Sequence, residues 1–382
     1  MSSATHESSG EALPAGAPAR PYAFDYVTVG HVTADVLDSD GTRRAGGTAF
    51  YSALQAARLG LRTLILTRGV PAEVEGLLAP YRGELDLRVL PAERTTTLLT
   101  HGSGHTRRQR LLAWAGPIEG SIEVDTAILH LAPVARETPR NFRGRAGFVG
   151  LTPQGLVRHW DAAGEIALVA LPPQLLPERC EAIVLSTGER ESCAELVSSA
   201  RAGGALLAVT AGAQPTAIQL PDGTLLHVPP PLVQAPLDDI GAGDVFAAAL
   251  FVALREGRPP AQAAAFANAA AAVRIAGSGP GAIGDRRAVE AQLSRPAPPA
   301  PVAERREVDL REAAAQPTRA ASAPSMSAAR SISASAPAAP QARAASSREP
   351  PTGAISTTAT RAWGATAWIA LVRGSTNTGP AL

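Results

Sequence analysis

Asp238-Asp239-Ile240-Gly241-Ala242-Gly243-Asp244 leads without a break into Val245-Phe246-Ala247-Ala248-Ala249-Leu250, an apolar run that continues to Leu254. Two glycines and a carboxylate therefore stand at the start of a predicted helix. Glycine lets the backbone turn without a Cβ clash. The free N–H groups of a helix N-terminus, with the macrodipole behind them, favour negative charge. A bound phosphate is the anion that fits. Asp244 repels such an anion, so its chemical use there is to take a proton from a nucleophile attacking phosphorus. The stretch points to phosphoryl transfer onto a hydroxyl.

Two other readings of the same residues stand beside this one. A helix-opening turn with an acidic residue near its positive end needs no ligand. A dinucleotide-binding glycine loop needs a buried strand before it and a third small residue to let the helix pack. Here Val233–Asp239 carries Pro236 and two acids, and Phe246 occupies the third-glycine position.

Composition excludes much else. The chain of 382 residues contains no lysine, so all 35 residues counted as Lys+Arg are Arg. A Walker A lysine, the catalytic lysine of protein kinases and Schiff-base chemistry are ruled out. Phosphate must be met by backbone amides, Arg and metal. A net charge of +1 argues against a nucleic-acid surface. The longest apolar run, Val245 to Leu254, is about half of what a membrane span requires. Cys180 and Cys193 are the only cysteines; they read as reduced packing residues of a cytoplasmic protein.

Residues 1–21 are rich in Ser, Ala, Gly and Pro and read as a disordered leader. Residues 295–382 are low-complexity Ala, Ser, Pro and Arg and read as a disordered tail. Between them, residues 22–294 alternate short apolar runs with Ala-rich helical stretches, the pattern of a layered α/β domain. Tyr26–Val29 and Thr63–Leu66 read as strands flanking a helix over Thr48–Leu59. Thr126–Leu131, Ile166–Ala170, Ala182–Leu185 and Ala205–Val209 read as buried parallel strands. Leu225–Val228, after the Asp222-Gly223 turn, reads as part of a local antiparallel hairpin. A further hairpin is expected between Val89 and Ile118, around Gly102-Ser103-Gly104; its Arg107-Arg108-Gln109-Arg110 run reads by default as a solvated strand.

Asp-x-x-Gly-Ala-Gly-Asp followed by Val-Phe-Ala-Ala-Ala-Leu resembles the C-terminal signature of the ribokinase-like, PfkB-type carbohydrate kinases. The resemblance spans about Tyr22 to Leu293. It implies a ribokinase-like layered sheet with helices on both faces and a small β lid over about residues 89–118, which in this family can mediate a homodimer. It implies an ATP-dependent carbohydrate kinase in which Gly241, Ala242 and Gly243 form the anion hole and Asp244 is the base. Gly30-His31-Val32-Thr33-Ala34-Asp35 and Gly46-Gly47-Thr48-Ala49 resemble the family's acceptor-binding Asp and double glycine, so Asp35, Gly46 and Gly47 are the substrate-binding candidates. An Asx turn or helix cap is the alternative for Asp35.

On the nucleotide side, Val209-Thr210-Ala211-Gly212 resembles the strand-end Thr-x-Gly beside the ATP phosphates. Phe266-Ala267-Asn268-Ala269-Ala270 and Gly277–Ala282 resemble the helix and loop bordering adenine. Thr210, Gly212, Asn268 and Gly281 are thus the expected cofactor-binding residues. Glu189 in Ser186-Thr187-Gly188-Glu189 matches the Glu that organises magnesium. The chain departs from the family pattern at Asp239, where a small hydroxylated residue or Pro is usual, at Tyr51, where Asn is usual, and at Pro215, where a second Gly is usual. The acceptor is expected to be a small-molecule sugar or polyol, and Gly46-Gly47-Thr48-Ala49-Phe50 with Leu151-Thr152-Pro153-Gln154-Gly155 resembles inositol-kinase-like members. A nucleoside kinase of the same fold, or a non-catalytic sugar or nucleotide sensor, are the alternatives.

Overall fold

Tyr26, Val27, Thr28 and Val29 are all buried, which places their strand in the middle of a sheet covered on both faces. The computed structural model describes residues 21–37, 41–102, 107–118 and 122–295. The first strand, β1 (Phe24–Val29), is followed by β2 (Thr33–Leu37), β3 (Arg43–Gly46), α1 (Thr48–Arg58), β4 (Thr63–Gly69), α2 (Pro71–Leu77) and β5 (Asp86–Pro91). Next come β6 (Thr97–His101), β7 (Arg108–Ala113), β8 (Ile122–Leu131), β9 (Phe142–Leu151), α3 (Gln154–Val157), β10 (Arg158–Trp160) and β11 (Ile166–Leu168). The C-terminal part contributes β12 (Ala182–Ser186), α4 (Ala194–Ala202), β13 (Leu206–Ala211), β14 (Gln214–Gln219), β15 (Leu225–Val228), α5 (Ala242–Arg255), α6 (Pro260–Ile275) and α7 (Arg286–Leu293).

Nine strands form the main sheet in the order β15-β14-β13-β12-β9-β8-β1-β4-β5. Seven run parallel, from β5 to β13, and β14 and β15 close that edge as an antiparallel hairpin. From β1 the chain steps to β4 on one side and later to β8 on the other. Such a reversal leaves a crevice at the strand C-termini, where open α/β sheets take ligands. On one face α1, α5, α6 and α7 bury Phe50, Leu54, Phe251 and Phe266; on the other, α3 and α4 cover Val27, Val29, Leu129 and Leu207. Helix α5 is buried from Val245 to Ala253 because α1 and α6 flank it, which is why its sequence is apolar all round.

A second, four-stranded sheet has the order β3-β2-β6-β7: the segment expected as a lid, about 89–118, supplies β6 and β7, while β2 and β3 come from outside it and β5 belongs to the main sheet. The β6–β7 hairpin is antiparallel, as its sequence predicts; the residues Ser103 and Gly104 of its turn lie outside the described residues. The chain thus has the α/β architecture read from its sequence: a layered sheet with helices on both faces and a small β lid.

One expectation fails, and one strand was not foreseen. Ile166–Ala170 does not join the main sheet: Ile166–Leu168 pairs with β10 as a short hairpin whose Ala167 and Leu168 are exposed. The main sheet instead takes Phe142–Leu151, whose Arg and Gly residues hide the strand pattern. A Cβ at Gly150 would come within 2.3 Å of the Phe251 ring, so close packing of β9 on α5 accounts for part of that composition. The free Cys193 is buried and Cys180 half-buried. No helix among the described residues is long and apolar enough to cross a membrane. The sequences read as leader and tail lie outside the described residues apart from Pro21 and Arg295.

Candidate active site

The exit of β1 delivers Gly30 and His31 to the sheet's C-terminal edge, and β2 then turns upward carrying Asp35. Asp35 is buried, and the Thr33 hydroxyl donates to it over 2.6 Å. Burial pushes its pKa up to about 6, against the opposing pull of Thr33, Arg158, Arg44 and Arg107. Its carboxylate rests against Gly46 in β3: a Cβ there would lie 2.1 Å from Oδ2, so only glycine leaves room for the acid. Gly47 follows as the N-cap of α1, with φ 93°.

Opposite Asp35 stands the start of α5. Gly241 is its N-cap in the left-handed region, φ 77°, and a Cβ there would lie 2.2 Å from the Tyr51 ring. Tyr51, almost wholly buried, is therefore a floor beneath the turn. The Ala242 N–H donates to the Asp239 carbonyl at 3.2 Å, whereas the N–H groups of Gly241, Gly243 and Asp244 meet no main-chain acceptor among the described residues. Asp244 sits in the first turn. Burial pushes its pKa up to about 6; hydrogen bonding from Thr48 and the Arg158 charge pull it down, and Glu189 and Asp35 push it further up.

The loop before this turn is held by a fully buried Arg274 at the end of α6. Its guanidinium bonds the Asp238 carboxylate at 2.9 Å and the carbonyls of Asp238, Gly277 and Ile240 at 3.2, 3.2 and 2.7 Å. Asp238 also accepts the N–H groups of Ile240 and Gly279, each at 2.9 Å. Arg274 bonding and these N–H groups draw the Asp238 pKa down against its own burial.

Between the two halves lies a cavity of about 650 Å³ lined by Asp35, Gly47, Tyr51, Glu189, Gly241 and Asp244. Sequence reasoning missed its central cation. Arg158 is buried, donates to the Val134 carbonyl and to the amide oxygens of Gln109 and Gln154, and feels Glu189, Asp244, Asp35 and Glu137. Those four acids favour a charge that burial disfavours. Gln154 turns its amide nitrogen to Glu189 at 2.7 Å, and the other Glu189 oxygen accepts the Ser186 N–H at 2.8 Å. Glu137, also buried, gathers the N–H groups of His31, Val134 and Ala135 and so ties the β1 exit to the loop after β8.

The lid reaches into this cavity. Arg107 and Arg108 line it, and Arg107 pairs with Asp239, the departure that directly precedes the glycine turn. Arg110, half-buried, pairs with Glu165, just before β11, at 2.8 Å.

The residues expected to hold the nucleotide are placed elsewhere. Thr210 lies next to the Glu189 turn, its carbonyl accepting the Thr187 N–H, and Gly212 forms the β13–β14 turn with φ 61°. Asn268 is buried with both amide ends engaged: its oxygen accepts from Thr216 at 3.0 Å and its nitrogen donates to the Val228 carbonyl at 3.1 Å. The carbonyl of Gly281 is held by Arg58 at the last turn of α1, while Thr48 at the first turn lines the cavity. None of these four lines the cavity. Among the described residues no three His, Cys, Asp or Glu side chains cluster as metal ligands, and both Glu189 oxygens are engaged. That donor set does not fit a resident metal.

Residues 162–285 match the profile of the pfkB family carbohydrate kinases. The match includes Glu189, Asp244 and Arg274 but not Asp35. No curated protein matches the chain. Among solved structures, ribokinase of Arabidopsis thaliana, complexed with ribose and ATP, is similar with a TM-score of 0.57 at 20% identity, over 72% of this chain and 100% of that one. A pyrophosphate-dependent kinase in the ribokinase family, complexed with a pyrophosphate analog and myo-inositol, gives 0.53 at 22% identity over 70% and 99%. Fructokinase from Vibrio cholerae O395, bound to fructose, ADP and calcium, gives 0.52 at 18% identity over 70% and 99%. The fold is therefore ribokinase-like, and its C-terminal half carries the pfkB family pattern.

Proposed function

We propose that this protein transfers a phosphoryl group from a phosphoanhydride donor to a hydroxyl of a sugar or polyol. One observation carries the reading: a single cavity sets Asp244, its carboxyl raised to about 6 by burial, beside the Gly241 turn and across from Asp35. A general base works best when its pKa lies near the working pH, and Asp244 meets that condition while remaining ionised at neutrality. Asp35 accepts hydrogen bonds from acceptor hydroxyls and fixes which one faces Asp244. The acceptor oxygen attacks phosphorus as its proton passes to Asp244. The free amides of Gly241 and Gly243 stabilise the charge on the transferring group, and Arg158 neutralises the acids around it.

ATP with magnesium is the donor expected from the sequence resemblance. The structural neighbours differ on this point, since one carries ATP and another a pyrophosphate analog. A myo-inositol ligand in the latter favours a polyol acceptor, in line with the Gly46–Phe50 segment. The Arg-lined lid serves to keep water from competing as acceptor.

The test is phosphomonoester formation, followed by phosphorus NMR, with magnesium, ATP or pyrophosphate, and a panel of sugars, polyols and nucleosides. Product from a sugar or polyol is expected. Product from nucleosides alone would move the acceptor to a nucleoside. Ligand-dependent thermal shifts without any product would replace the enzyme reading with a binding one.

A further inference from the structure

We propose that the phosphoryl donor is inorganic pyrophosphate, a phosphoanhydride with no base attached, and that the lid guanidinium groups of Arg107 and Arg108 hold it. The inference rests on the kinase reading above and deepens it.

The first support is the chemistry of the cavity wall. Among the described residues, Arg107, Arg108 and Arg158 line it. Arg158 is largely committed to the Val134 carbonyl and two glutamine amides. Arg107 spends one terminal nitrogen on Asp239, but its Nε is buried and has no acceptor. Arg108 has no acidic partner among the described residues. A buried donor without an acceptor is costly, and a bidentate phosphate oxygen pair is what a guanidinium fork fits. Gly241, whose N–H meets no main-chain acceptor among the described residues, lines the same cavity and offers a further anion donor.

The second support is the lack of a place for a purine at this wall. A base needs an apolar or aromatic face and an amide to read its edge. Among the described residues Tyr51 is the only aromatic one lining the cavity, and it is 2% exposed beneath Gly241. Asn268 already spends both ends of its amide joining α6 to β14 and β15. Gly281 sits at the far end of α1, about 15 Å of helix away from Thr48.

In the transfer, the acceptor hydroxyl oxygen bonds to one phosphorus of pyrophosphate while the bond from that phosphorus to the bridging oxygen breaks. The hydroxyl proton goes to Asp244 and then to solvent. The products are one phosphomonoester and one orthophosphate, with no change of oxidation state.

The test compares pyrophosphate and ATP as donors to the full chain, with magnesium and whichever acceptor is turned over, and repeats the pair with Arg108→Ala, an exposed position whose loss leaves the core intact. At least tenfold faster product formation with pyrophosphate is expected, with one orthophosphate per phosphomonoester and a severalfold higher KM for pyrophosphate in R108A. Equal rates, or turnover with ATP alone, overturn the donor assignment and leave the kinase reading standing. An unchanged KM in R108A overturns the role of the lid arginines. Absence of product with both donors and every acceptor sinks the kinase reading and this one together.

Discussion

Asp244 and Asp35 are carboxylates that burial holds near pKa 6 against an ordinary 3.8. Between about pH 4 and 6 the folded state binds more protons than the unfolded one, so stability falls as pH rises through that window and stays lost above it. Turnover runs the other way, because a base must be ionised, and should rise through about pH 6. Removing the charge should therefore stabilise the protein while stopping it. Asp244→Asn is expected to raise the melting temperature at pH 7.5 by roughly 2–4 °C, with the gain vanishing near pH 4; a lower melting temperature at pH 7.5 would show that the ionised carboxylate is well solvated. Arg274 is the opposite case, a fully buried charge whose partner is Asp238. Arg274→Met strands that carboxylate and should cost ~3–5 kcal/mol, visible as a large drop in denaturant midpoint; a drop no greater than that of a surface Arg substitution would remove its role in holding the glycine turn.

At the level of elements, the lid meets the loop before the Gly241 turn through Arg107 on one side and Asp239 on the other. The pair is half-exposed, so its worth to stability is small, below ~1 kcal/mol. Its expected worth is to closure. Arg107→Ala and Asp239→Ala should each raise the KM of donor and acceptor and increase acceptor-independent donor hydrolysis severalfold at nearly constant melting temperature; unchanged hydrolysis would mean the lid closes without this pair. Asp239 breaks the family pattern in the sequence, and its partner lies 132 residues away, so one chain read alone shows the departure but not its reason. The same limit explains Arg158. It follows Leu156-Val157 with none of its four acidic neighbours near it in the chain, so nothing local marks it, and only folding of α3 and β10 brings it among those acids. By contrast the Gly241 turn and α5 were legible because glycines, carboxylate and apolar run are contiguous.

Over the whole molecule, the alternation of apolar runs with Ala-rich helices was enough to predict the layered sheet, and the hairpin near Gly102 to predict the lid. Strand β9 was not legible, since Arg143, Gly144, Arg145 and Gly147 interrupt its pattern and its packing partner Phe251 is distant in sequence. Ile166–Ala170 misled because an apolar run alone does not distinguish a buried strand from a small surface hairpin. The site inherits this division: Asp35, Gly47, Glu189, Gly241 and Asp244, each singled out by a local motif, line one cavity, Gly46, Ala242 and Gly243 of the same motifs do not, and Arg158, Gln154, Arg107 and Arg274 required the fold. Placing Asn268 inside the core rather than at the cavity is likewise a property of the sheet edge, where Thr216 and Val228 claim its amide.

The proposed role of Asp244 as base of a phosphoryl transfer to a hydroxyl is put to the test by acceptor-dependent phosphomonoester formation in the parent and in Asp244→Asn across pH 5 to 8. The parent rate is expected to rise through about pH 6, and the variant to be at least ~10²-fold slower at every pH, folded and no less stable than the parent at pH 7.5. A variant that keeps the parent's rate, or a parent whose rate does not change through pH 6, would contradict it.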